Sequence, residues 1–266
     1  MSDDPRTARP EELRDRPEPA PAAPTEDVGQ RARDLRGARD DTSMANLPDP
    51  EGGVGVTQAQ LERAEAARSA PDPFEGRELA LGLDHPGLRA DTLADVARNA
   101  KDPRIGRDIA LLIDDPDKCA RTLADIARNA KDPPIGRDIA HLIDIDVRDA
   151  SGITVQDRAL ADVARNAEDS LIGRDIAYDV QDPYWRASTL ADIARRATDP
   201  RIALDIADGI DAGVTDATGT SIRDLALADI AHRTADPHLA ADVADRIADD
   251  RRRTAVLAAI DQRGSA

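Results

Sequence analysis

The sequence predicts an all-α chain, an α-solenoid of antiparallel helix hairpins. Three observations predict it. First, the segment Arg121–Asp144 (RTLADIARNAKDPPIGRDIAHLID) returns nearly unchanged thirty residues earlier at Asp91–Asp114, and in worn form at Leu160–Ala177, Leu190–Ala207 and Leu227–Ala244. A period of this size marks stacked supersecondary units. Second, each unit carries two apolar stripes at helical spacing: Leu123, Ala124, Ile126, Ala127 and Ala130, then Ile135, Ile139, Leu142 and Ile143. A helix pair with one apolar face cannot bury itself and must stack on its neighbours. Third, Asp-Pro steps punctuate the units. Asp102-Pro103, Asp132-Pro133, Asp199-Pro200 and Asp236-Pro237 open second helices, and Asp115-Pro116 and Asp182-Pro183 open first helices. The Asp accepts an orphan amide, and the Pro at the first helical position has none to satisfy. The connections are thus predicted to be two or three residues long, which makes adjacent helices antiparallel.

Taken in order, residues 1–56 read as a disordered acidic tail. Pro5, Pro10, Pro17, Pro19, Pro21, Pro24, Pro48 and Pro50 interrupt it, and no apolar face persists. One island, Asp27–Asp40, spaces Val28, Ala32 and Leu35 as a helix would; it either folds on a partner or fluctuates as part of the tail. Order begins at Thr57, where Thr57 and Gln60 form a capping-box pattern. Gln58–Ser69 is a degenerate first helix, and Asp72–Pro86 matches Asp102–Pro116 position by position. The junction position then recurs at intervals of 30, 30, 37, 30 and 37 residues, from Pro73 to Pro237. The extra residues fall in Asp144–Asp157 and Asp211–Asp224, which contain Gly and Thr and are predicted as loops. Arg253–Ile260 is a half unit that caps the end. Residues 57–262 are thus predicted to form thirteen helices, six hairpins and a cap, with no sheet.

Charge and composition narrow the function classes. Acids outnumber bases 53 to 36, for a net charge of −17. Phosphate recognition needs clustered cations, so nucleic acid is not an expected partner. Cys119 is the sole cysteine, which removes an intrachain disulfide and thiolate zinc sites. His85, His141, His232 and His238 share no ligand spacing, and no metal or cofactor is expected. No apolar run approaches membrane-spanning length, so a cytoplasmic protein without a membrane partner is expected. Aromatics make up 2% of the chain; helices that bury Ala, Leu and Ile approach closely without them.

The Leu-Ala step of each first helix (Leu93-Ala94, Leu123-Ala124, Leu160-Ala161, Leu190-Ala191, Leu227-Ala228), the paired helices and the Pro between units resemble the tetratricopeptide family in a short form, over roughly 57–262. Asp182–Pro200 (DPYWRASTLADIARRATDP) resembles it most. The period of 30 rather than 34, and Ala127 where the family prefers an aromatic, depart from it and leave a HEAT-like solenoid as the alternative. The resemblance implies a right-handed superhelix that binds proteins or peptides in a groove lined by first helices.

The strongest surface signal is a set repeated on the first helices: Asp95, Arg98 and Asn99; Asp125, Arg128 and Asn129; Asp162, Arg165 and Asn166; Asp192, Arg195 and Arg196. Stacking turns these into ladders. They form either a groove that grips an extended peptide or Asp–Arg pairs three apart that neutralise each other within one helix. A second recurrence, Glu78, Asp108, Asp138, Asp175, Asp205 and Asp242, lies beside the apolar stripe of the second helices. These carboxylates are expected to be half-buried and paired with the first-helix Arg of the same hairpin. Tyr178, Tyr184 and Trp185 crowd one junction as candidate aromatic anchors, or as packing residues. No catalytic triad, metal set or phosphate loop is visible, so the expected function is a non-enzymatic scaffold for a protein or peptide partner. The alternative is an acidic antagonist that masks a basic surface of a toxin or DNA-binding protein. A balanced Asp/Arg face favours the first; one continuous acidic face favours the second.

Overall fold

The computed structural model describes residues 56–264. The expectations for the tail and for the island Asp27–Asp40 lie outside the described residues. Those described form thirteen helices and no β-strand. They are α1 Gln58–Ser69, α2 Pro73–Leu81, α3 Pro86–Asn99, α4 Pro103–Ala110, α5 Pro116–Asn129, α6 Pro133–Ala140, α7 Val155–Asn166, α8 Ser170–Ala177, α9 Pro183–Arg196, α10 Pro200–Asp208, α11 Ile222–Arg233, α12 Pro237–Ala244 and α13 Asp250–Gly264. No helix among them is long and apolar enough to cross a membrane.

Local chemistry sets the helix starts. At α1 the Thr57 hydroxyl accepts the Gln60 amide at 3.3 Å, and the Gln60 side chain accepts the Thr57 amide at 3.4 Å. Asp102 and Asp199 cap α4 and α10 through the amide two residues on, at 2.9 and 2.8 Å. Asp115 and Asp182 cap α5 and α9 through the amide three residues on, at 3.0 and 2.9 Å. Asp132 departs from the pattern and makes no side-chain cap bond. At α3 a His-Pro step replaces Asp-Pro, and His85 Nδ1 accepts the Leu88 amide at 3.1 Å.

Connections within each helix pair are three residues long, as at 100–102 and 130–132, which makes the two helices antiparallel. Connections between pairs that carry no insertion run four or five residues, longer than the predicted two or three. The apolar residues after α4 and α6 leave the helix in a tight turn, with Ile113 donating to the Ala110 carbonyl and Ile143 to that of Ala140, each at 3.1 Å.

Every helix packs mainly on its neighbours one and two places along the chain, and α13 covers α11 and α12. The odd-numbered helices also pack extensively on one another, whereas the even-numbered ones touch each other far less. The core follows the predicted stripes. Leu93, Leu123, Leu160, Leu190 and Leu227 are at most 1% exposed, and Ile109, Ile139, Ile176 and Ile206 at most 2%. Around them lies Ala, which brings backbones together. An added Cβ at Gly106 would sit 2.5 Å from the Ala97 carbonyl oxygen, and one at Gly136 would sit 2.7 Å from that of Ala127. Each second helix here crosses the last turn of its partner so closely that only a hydrogen fits.

The two insertions are copies of one design. Asp149 Oδ1 accepts the Ser151 amide and hydroxyl and the Ile153 amide at 2.7, 2.5 and 3.3 Å. Asp216 Oδ1 accepts the Thr218 amide and hydroxyl and the Thr220 amide at 2.8, 2.6 and 3.0 Å. Gly152 and Gly219 take φ of 82° and 80°, which a side chain would resist. The predicted loops ran too far, because Thr154 and Ser221 already cap α7 and α11. Asp157 and Asp224 are therefore helical, and only 3% and 4% exposed. The Asp157 carboxylate accepts the amides of Gln181 and Asp182 at 2.6 and 3.2 Å, and Asp224 accepts those of Ala248 and Asp249 at 3.1 and 2.9 Å. Each longer unit thus grips the junction that follows it.

Leu123→Ala is expected to cost about 2–5 kcal/mol through a cavity, and Gly136→Ala about 1–3 kcal/mol through overpacking. Urea denaturation checks both.

Candidate functional site

The repeated Asp–Arg set forms one continuous ladder, in which, from Arg68 to Arg165, the shortest contacts run between helices rather than within one. Each Arg reaches the next first helix. Arg68 Nε donates to Asp95 at 2.8 Å, Arg98 to Asp125 at 2.8 Å, Arg128 to Asp162 at 2.9 Å and Arg165 to Asp192 at 2.8 Å. Contacts within a helix are looser: Arg98–Asp95 is 3.4 Å, Arg128–Asp125 3.3 Å and Arg165–Asp162 3.6 Å. Arg195 closes tightly on Asp192 and reaches Asp229 only at 3.9 Å. Inner carboxylates are therefore each shared by two guanidiniums. The ladder fades where the template places His232 for Arg and Ala259 for Asp.

Sequence reasoning missed the first rung, formed by Arg68 with Asp95 and, at 3.8 Å, Glu65. The signal was available, since Glu65 and Arg68 lie thirty residues before Asp95 and Arg98.

The amide column runs beside the ladder and is not part of it. Asn99 is exposed, Asn129 donates to the Asp125 carbonyl at 2.9 Å, and Asn166 donates across to the Arg128 carbonyl at 3.5 Å. Arg196 continues the column and donates to the Asp192 carbonyl at 3.4 Å.

The second-helix carboxylates correct the expectation. Glu78, Asp108, Asp138, Asp175, Asp205 and Asp242 are all exposed. Four of them pair with second-helix arginines: Arg77–Glu78 at 2.6 Å, Arg107–Asp108 at 2.7 Å, Arg174–Asp175 at 3.0 Å and Arg174–Asp205 at 2.5 Å. The first-helix guanidiniums are already engaged by the ladder.

The aromatic candidates separate. Trp185 is half-buried, with the guanidiniums of Arg158 and Arg165 each 5.4 Å from its ring centre, which ties α9 to α7. Tyr178 lies over the Gly209 backbone while remaining 44% exposed, and Tyr184 is 48% exposed.

Two recesses open on either side of the α5 stretch of the ladder, and Asp125 lines both. The first, about 300 Å³, lies among α3–α6 and includes Lys101, Lys131, Ile126 and Ile135. The second, about 530 Å³, lies between α5, the first insertion and the start of α7, and includes Arg121, Arg128, Asp149 and Arg158. Among the described residues no group of three or more His, Cys, Asp and Glu is placed to hold a metal ion. Cys119 is buried.

The most concentrated electrostatics outside the ladder join α6 to the turn after α8. Asp179 accepts Arg137 Nε at 2.5 Å and Nη2 at 3.0 Å, and meets His141 Nε2 at 2.9 Å. Burial alone would raise the Asp179 carboxyl, but the bonds from Arg137 and His141 hold it below the ordinary carboxylate range. The Ser151 hydroxyl chiefly holds Asp149 below that range, and the Thr218 hydroxyl does so for Asp216.

No protein-family model matches the chain, and no curated protein matches it.

Asp125→Ala removes contacts to both Arg98 and Arg128, so it is expected to cost up to about 1 kcal/mol at low salt. That loss should shrink as salt is raised; a difference independent of salt would show that the ladder is not electrostatic. Because the Asp179 value is depressed in the folded chain, its stabilisation is complete above the unfolded carboxylate value of about 3.9 and is lost as pH falls through the lowered one. Urea midpoints measured below pH ~4 should therefore fall less steeply for Asp179→Asn than for the parent chain.

Proposed function

We propose that residues 57–262 form a right-handed, tetratricopeptide-like α-solenoid that serves as a non-enzymatic scaffold and binds a protein or peptide partner on the first-helix surface. The observation that carries this reading is the Asp–Arg ladder on the odd-numbered helices, which runs through successive units and is balanced in charge. The closer packing of odd-numbered helices on one another supports a stack curved with the first helices inside. Such a surface offers hydrogen-bonding groups in register: Asn99 and Asn129 on neighbouring units, with Asn166 and Arg196 farther on. An extended chain laid across them meets a donor or acceptor at each step. The balance of the ladder favours the scaffold over the acidic antagonist, whose basic target would need unpaired carboxylates in a row.

The test is hydrogen exchange on the full chain with its affinity-captured partner. The scaffold reading expects protection concentrated on the exposed faces of α3, α5, α7 and α9, and weaker capture by Asn129→Ala combined with Arg196→Ala. Protection confined to the even-numbered helices contradicts it.

A further inference from the structure

Charge alone predicts that carboxylates outnumber cations in any cleft of this chain. In the two recesses beside Asp125 they do not. Each is lined by three cations and two carboxylates: Arg98, Lys101 and Lys131 with Asp125 and Asp132 in the first, and Arg121, Arg128 and Arg158 with Asp125 and Asp149 in the second. Three of these cations are engaged. Arg98 and Arg128 hold the ladder, and Arg158 holds Asp149 at 2.8 Å. Lys101, Lys131 and Arg121 remain, and none has a side-chain partner among the described residues.

The lysines are informative because the chain has only three. Lys118 is paired with Asp91 at 2.5 Å. At the template position of Lys101 and Lys131 the other units carry Pro71, Glu168, Thr198 and Ala235, so the pair exists at this one place in the stack. Beneath it the recess is apolar, with Ala97 and Ile126 buried and Ile135 partly buried.

We infer that the two recesses form one docking surface for an extended acidic peptide segment of a partner protein. An aliphatic side chain of that segment seats among α3–α6, and carboxylates beside it pair with Lys101 and Lys131. A further carboxylate across α5 pairs with Arg121. The inference rests on the scaffold reading and adds the chemistry of the partner. Pairing with an anion gains attraction here without breaking an ion pair or side-chain hydrogen bond among the described residues. Asp125, between the recesses, does not repel the segment, since Arg98 and Arg128 already share its charge. The apolar floor excludes water and strengthens the ion pairs at its rim.

The experiment measures fluorescence anisotropy of three short labelled peptides on the full chain, each with leucines flanked by Glu, by Lys or by Gln. The Glu peptide is expected to bind most tightly, and to weaken as salt rises. Lys101→Glu with Lys131→Glu, and separately Arg121→Glu, should weaken it about tenfold or more, with thermal midpoints nearly unchanged, since none of the three has a side-chain partner among the described residues. Arg201→Glu, the same charge change as Arg121→Glu at an exposed position away from both recesses, should leave binding within about twofold. Failure of the Glu peptide to bind, or equal binding to the lysine variants, overturns the inference. Tighter binding of the Lys peptide also overturns it, yet leaves the scaffold reading standing; that reading falls separately if partner protection maps to the even-numbered helices.

Discussion

The leucine at the centre of each first helix is the constraint from which the rest follows. Its own hairpin covers one side of it, and the other must come from the neighbouring unit. Leu93, Leu123, Leu160, Leu190 and Leu227 are at most 1% exposed, and the helices that carry them pack both on their own partner helices and on one another. Covering them without aromatic filler requires close backbones. That explains the alanine around each leucine and the glycines at 106 and 136, where a methyl group would strike a carbonyl oxygen of the partner helix.

Bringing first helices this close fixes the polar surface above them. Asp and Arg three apart on one helix would form only a weak local pair. With the next helix near, the guanidinium instead takes the neighbouring carboxylate at about 2.8 Å, and its own carboxylate passes to the preceding Arg. The polar ladder is thus a consequence of the apolar stripe beneath it. It also uses up the arginines, which leaves the second-helix carboxylates to pair on their own side. Within the ladder region, Lys101, Lys131 and Arg121 have no side-chain partner among the described residues.

Helix number, stripes and most caps were legible in the sequence because each depends on residues within one or two turns. The first capping box and the Asp caps of α4, α5, α9 and α10 needed nothing else. What failed depended on distances between helices. The ladder residues were readable, but their pairing was not, since the choice between Asp95 and Asp125 for Arg98 turns on how near α5 stands. Asp157 and Asp224 read as loop because polar insertions precede them; their burial comes from the next junction folding over them. His85 as a helix cap was invisible where Asp was the rule. The lysine recess was equally hidden, because Lys-Asp-Pro spells a helix junction and says nothing about what lies beside it.

The most direct measurement is a pair of double-mutant cycles on the ladder, Arg98 with Asp125 and Arg128 with Asp125, read by urea denaturation. Successive units joined through their first helices predict the larger coupling for Arg98 with Asp125, on the order of 0.5–1 kcal/mol. A larger coupling for Arg128 with Asp125, or none for Arg98, would mean that the charges merely neutralise each helix and that no ladder joins the units.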